Sequence, residues 1–163
     1  MGGSFFYHKQ YEYAILILKK FLEEPDGWIE DKLNSCLVLS CCYQAMGENA
    51  AAFDILFYSF TMDVPRAEIC CEIGRLFMEK REYVTAAYWY QQALLAPRKK
   101  KNGGFYIADS HDFIPAIQMC VCLDKAGRHR EAFEFHKKAR VLKPLHQAVI
   151  GNEKYFRDVW GME

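Results

Sequence analysis

Histidine, cysteine, carboxylate and basic side chains are where this chain could do chemistry, and they gather in four places. His111 stands between Asp109 and Asp112, a grouping that could ligate a metal ion or relay a proton. His129 and His136 are seven residues apart and so share one face of a helix. Two imidazoles there could begin a tetrahedral metal site, which needs further Cys, His or carboxylate ligands. Cys36, Cys41, Cys42, Cys70, Cys71, Cys120 and Cys122 supply thiols, but seven is an odd number and none stands in a C-x-x-C pair. Finally, Arg98-Lys99-Lys100-Lys101 runs into Asn102-Gly103-Gly104, a basic run beside glycines that can turn backbone N–H groups toward an anion.

The elements that must position these groups are most legible between Ile73 and Pro97, IGRLFMEKREYVTAAYWYQQALLAP. Its apolar spacing reads as two amphipathic helices folded back on each other. Gly74 is read as answering Ala86 where the two pass closely, and Ala93 as facing the next pair, with Ile73, Phe77, Tyr83, Tyr90 and Leu94 filling the gaps. Small residues belong there because helices pack at roughly 8–10 Å, a distance set by the side chains at the contact. Ala52 lies 34 residues before Ala86, Ala132 lies 46 after it, and Ala14 precedes Ala52 by 38. Leu39, Tyr43, Gly47, Leu56 and Pro65 surround Ala52; Met119, Leu123, Gly127, Phe133, Ala139 and Pro144 surround Ala132. Around Ala14 only a second helix is clear, with Tyr11, Leu18 and Phe21. This pattern resembles the tetratricopeptide repeat (TPR), whose period is about 34 residues.

The expected fold is therefore all-α, a TPR-type superhelix of helix pairs, or α-solenoid, of about three and a half repeats plus a C-terminal capping helix. Residues 1–163 are read as one array. A partial first repeat spans 5–24, a second 28–62, a third 63–97 and a fourth 113–144, with an insertion loop at 98–112 and a capping helix at 145–160. Asp26, Asp63 and Asp112 are read as N-caps of the helices that follow them. Gly47 closes one helix, and Arg81 stands where a glycine would be usual.

Against this frame each chemical grouping has a plainer reading. Turn chemistry and capping account for Asp109, His111 and Asp112. His136 takes the position that Tyr90 holds one repeat earlier, as a packed core histidine. The cysteines all fall on first helices, as small buried apolar residues in a reducing and hence cytoplasmic compartment. The basic run reads as the start of a solvated loop. No phosphate-binding, dinucleotide-binding, zinc-protease or nucleophile-elbow motif is present. Neither a catalytic residue, a cofactor nor a metal ion is expected.

Lys plus Arg equals Asp plus Glu at 21 each, a balance that argues against nucleic acid as partner. No apolar run reaches the length of a membrane span. What remains is surface. Outward positions of the first helices recur with the repeat and are the expected partner-binding groove: Asn34, Leu37 and Gln44; Glu68, Arg75, Met78 and Glu79; Ile117, Asp124 and Lys125. The set lacks the Lys, Asn and Arg constellation that grips a peptide's terminal carboxylate.

Beyond the repeat itself, the order of motifs resembles the C-terminal TPR region of bacterial family 2 glycosyltransferases. The matching stretches are Asp63-Val64-Pro65-Arg66-Ala67-Glu68, Cys71-x-Ile73-Gly74, Ala87 to Leu94, Gly104-Phe105, Phe113-Ile114-Pro115, Gln118 to Cys122, His136-x-x-Ala139, Lys143-Pro144 and Asn152-x-x-Tyr155-Phe156. In that group the sugar transfer belongs to an N-terminal domain whose motifs are absent from these 163 residues. The resemblance implies a non-catalytic helper that positions an acceptor, joins subunits or braces the transferase. A free-standing adaptor that holds a peptide or partner helix in its groove is the alternative. The first repeat lacks its first helix, so the helix bearing Tyr11, Tyr13, Ile15 and Leu18 is expected to be covered by a missing N-terminal domain or by a second copy. Phe105 and Tyr106 are expected to fold over Tyr88 and Trp89.

Overall fold

A computed structural model describes residues 2–98, 104 and 106–163, with backbone alone for residues 2–6. Every long element in it is a helix, and no strand occurs among the described residues. The helices are α1 (Gly2–Glu23), α2 (Ile29–Ala45), α3 (Asn49–Tyr58), α4 (Ala67–Glu79), α5 (Tyr83–Leu95), α6 (Phe113–Lys125), α7 (His129–Leu142) and α8 (Gln147–Trp160). Short 3-10 turns occupy Ser59–Thr61 and Ala108–His111.

The chain divides into two compact units. The first comprises α1 to α3, the Ser59–Thr61 turn, Gly104 and Tyr106. In it α1 packs on α2 and α2 on α3 around Leu22, Cys36 and Leu39, with Ile15, Leu18, Tyr43 and Ile55 at the margin. The second comprises α4 to α8 with the Ala108–His111 turn, each helix packing on the next. Its core runs through Cys70, Ala86, Tyr90, Ala93, Cys122, Ala132, Phe133 and Phe156.

One hairpin geometry recurs three times, between α2 and α3, α4 and α5, and α6 and α7. In each the chain turns through a single residue of positive φ: Gly47 at 77°, Arg81 at 60° and Gly127 at 80°. The residue after it has nearly the same dihedrals each time, φ −86, −88 and −96° at Glu48, Glu82 and Arg128, with ψ 62, 66 and 57°. The same pair of hydrogen bonds closes every turn. Gly47, Arg81 and Gly127 donate to Gln44, Met78 and Asp124, each at 2.9 Å. Glu48, Glu82 and Arg128 donate to Tyr43, Phe77 and Leu123 at 2.8–2.9 Å. This is the Schellman pattern, which satisfies the last carbonyls of the first helix. Four residues on, Ala52, Ala86 and Ala132 are all fully buried. The small-residue period in the sequence is thus a period in the backbone.

Arg81 is the exception in chemistry, because an L side chain in the left-handed region costs about 1–2 kcal/mol where glycine costs little. Its side chain is exposed. Arg81→Gly should raise stability by about 1 kcal/mol, read as a melting temperature higher by roughly 2–4 °C.

Other expectations need correction. Gly74 lies against the Tyr90 ring: a Cβ there would sit 3.0 Å from Cε2 and Cζ. Asp26 caps nothing, since α2 starts after Trp28 with no side-chain cap. The Asp63 carboxylate accepts the Val64 N–H at 2.8 Å while α4 begins only at Ala67. Asp112 does cap α6, accepting the Phe113 N–H at 2.6 Å. The first helix runs unbroken from Gly2 to Glu23, starting ahead of the 5–24 read as the partial first repeat.

Candidate functional site

The recurrent first-helix positions do not share one environment. In the first unit Asn34 is exposed, while Leu37 and Gln44 are half-buried, the Gln44 Nε2 donating to Ser40 Oγ at 3.1 Å. In the second unit Arg75, Met78 and Glu79 reach the surface, and Arg75 is bracketed by Glu72, at 2.6 Å, and by Glu79. Met78 accepts the Tyr90 hydroxyl through its sulfur at 3.5 Å. Asp124 is half-buried and Lys125 exposed.

Two of the expected groove residues turn inward. Ile117 is buried with Phe113, Ala116, Ala139 and Val149, because α8 lies over that part of α6. Glu68 is 4% exposed, roofed by the end of the insertion. Its Oε1 accepts the Ile107 N–H at 2.7 Å and faces His111 Nε2 at 3.5 Å, and His111 is equally buried. The described end of the insertion is therefore fastened. Asp109 pairs with Lys143, and Arg98 reaches both the His111 carbonyl, at 3.2 Å, and the Asp112 carboxylate, at 3.3 Å. Asp109, His111 and Asp112 each face a different partner and do not converge. Tyr88 is exposed and Trp89 half-buried, their rings edge to face at 5.5 Å. Lys99, Lys100, Lys101, Gly103 and Phe105 lie outside the described residues.

The most concentrated polar constellation joins α6, α7 and α8, and only fragments of it are legible in the amino-acid order. Asp124 Oδ1 meets His129 Nδ1 at 2.7 Å, and its Oδ2 accepts the Tyr155 hydroxyl at 2.9 Å. Trp160 Nε1 donates to the same hydroxyl at 3.2 Å and stacks on His129 at 3.8 Å between centroids. The carboxylate that accompanies His129 sits across the α6–α7 turn, where helix periodicity does not point. Beside it α6 and α8 line an open pocket of about 200 Å³ with Val121, Asp124, Lys125, Asn152 and Tyr155. A larger groove of about 360 Å³ runs between α5 and α7 over a floor of Met119 and Leu123, with Tyr88 and Phe135 on its walls.

His136, on the same face of α7 as His129, is fully buried as expected. Burial holds its pKa below the ordinary imidazole value. Of the seven cysteines, six are buried and Cys41 is exposed. Burial pushes the thiols up, Cys36 to about 11 and Cys70, Cys120 and Cys122 to about 12, so they are protonated at neutral pH. Among the described residues no group of three His, Cys, Asp or Glu side chains could hold a metal ion, and no helix is long and apolar enough to cross a membrane.

No family model and no curated protein matches the chain.

Proposed function

We propose that the chain is a non-catalytic interaction domain of the TPR type, a superhelical stack acting as the C-terminal part of a bacterial family 2 glycosyltransferase. In that role it aids oligomerisation or acceptor positioning in the cytoplasm, with protein rather than nucleic acid as its partner. The observation that carries the reading is the hairpin repeated three times with one turn geometry and one buried alanine register. Repeated hairpins of this kind work through the surface they build. Exposed Tyr13, Leu16 and Ile17 on α1 support a contact made there by a further domain or a second copy.

The proposal is tested first by the reading frame upstream of Met1. A nucleotide-sugar domain encoded there, in frame, is the expected result, and its absence favours the adaptor reading. The pocket between α6 and α8, lined in part by Asp124, Lys125 and Asn152, is what favours that second reading. Light scattering at high protein concentration tests the α1 contact, which a strictly monomeric and fully stable species would contradict. Turnover of nucleotide-sugars with a divalent metal by this chain alone would overturn the non-catalytic reading.

A further inference from the structure

We propose that the C-terminal half of α8 is an acid-released flap: charging His136 lifts residues 153–160 from α6 and α7 and widens the pocket they help to line. The His136 ring is fully buried, and among the described residues neither Nδ1 nor Nε2 meets a hydrogen-bond partner. It lies against Phe133 of its own helix and Phe156 of α8, with centroids 5.7 Å from each. A neutral imidazole is accommodated there as one more ring. An imidazolium carries two N–H donors and a full charge, and an apolar site answers neither.

The groups around the ring cannot answer the charge from where they stand. On α7, Arg140 opposes it. On α8, Glu153 favours it but is engaged with Arg140 at 2.9 Å. On α6, the Cys120 thiol receives the Asn152 amide at 3.5 Å, Cys122 is buried, and Asp124 is committed to His129 and Tyr155. Burial outweighs these charges and keeps the ring neutral in the closed state.

Water reaches the ring most readily from the α8 side. Separating α7 from α6 would uncover Ala132, Phe133 and Ala139, which are buried along the length of that pair. Raising the end of α8 uncovers Phe156 and gives up only partly exposed contacts, the Tyr155 hydroxyl, the Trp160 stack and the Arg140–Glu153 pair. The Asp124–His129 contact joins α6 to α7, so it survives the opening. A charged His129 strengthens its stack with Trp160, but that ring pair is partly open to solvent, where such attraction is small.

For a ring that takes its proton only in the open state, with an ordinary imidazole pKa of about 6.5, the open population rises up to about 30-fold between pH 7.5 and 5.0. Hydrogen exchange with mass spectrometry on the full chain tests this, with protection factors corrected for the intrinsic rate at each pH. The expected result is protection over 153–160 lowered by up to about 30-fold at pH 5.0, with Ala67–Glu79 unchanged, and the pH effect abolished in His136→Phe. His136→Leu is the second variant should the first fold poorly. Unchanged protection at pH 5.0, an equal loss in α4 and α8, or the same loss in the variant that lacks the imidazole would each overturn the proposal.

Discussion

Glu68→Ala should lower the stability of the second unit by about 1–3 kcal/mol, the loss typical when a buried polar group is left without its hydrogen-bond partner. The carboxylate is enclosed, its side chain 2% exposed and that of His111 3%. Removing it strips the Ile107 N–H of its acceptor and leaves a hole beside the imidazole. The remaining fastenings of the insertion, Asp109 to Lys143 and Arg98 to Asp112, are half exposed and contribute about 1 kcal/mol or less each. Glu68→Gln keeps an oxygen for Ile107 while deleting the charge, so it separates the two roles and should cost less than the alanine. Chemical denaturation followed by circular dichroism reads both. A loss under about 1 kcal/mol for the alanine variant would mean that the insertion is held by other groups.

The second large effect is expected at Gly74. The Tyr90 ring closes directly over its α-carbon, at 3.0 Å from the position a Cβ would take. Tyr90 is itself 1% exposed, with its hydroxyl on the Met78 sulfur, so the ring has no open space to move into. A leucine at Gly74 should therefore part α4 from α5 and cost about 3 kcal/mol, at the upper end for an overfilled core. The double variant Gly74→Leu with Tyr90→Ala should recover part of that loss, because the added side chain then fills the volume the ring leaves. A coupling of more than about 1 kcal/mol in the cycle is the expected signature, and strict additivity would place the strain elsewhere.

These two sites mark the boundary of what the amino-acid order made legible. Ala52, Ala86 and Ala132 announced the hairpins because helical spacing is a local property, and Gly47 and Gly127 announced two of the turns. The third turn was masked by Arg81, whose side chain gives no sign that its backbone is left-handed. Asp112 was legible as a cap because donor and acceptor are sequence neighbours. Glu68 was not. Helical phase puts it on an outward face, and only a segment 39 residues away roofs it. Ile117 fails for the same reason, covered by α8, and the bond from Tyr155 to Asp124 spans 31 residues. Periodicity assigns a residue to a face of its helix; what covers that face is decided by chain far off in the sequence.

The succession of neighbour-on-neighbour packing has a consequence for how the chain reaches its native state. Within each unit almost every extensive helix contact joins segments consecutive in the chain, the exceptions being the contact of α4 with α6 and the docking of the Ala108–His111 turn on α4 and of the Ser59–Thr61 turn on α2. Native contacts of short sequence separation incur little loop-closure entropy, so chains built from them fold quickly, in microseconds to milliseconds. The hairpins bounded by Gly47, Arg81 and Gly127 are the natural early structures. The insertion, whose Ile107 amide must find a buried carboxylate on α4, 39 residues away, is left to dock late.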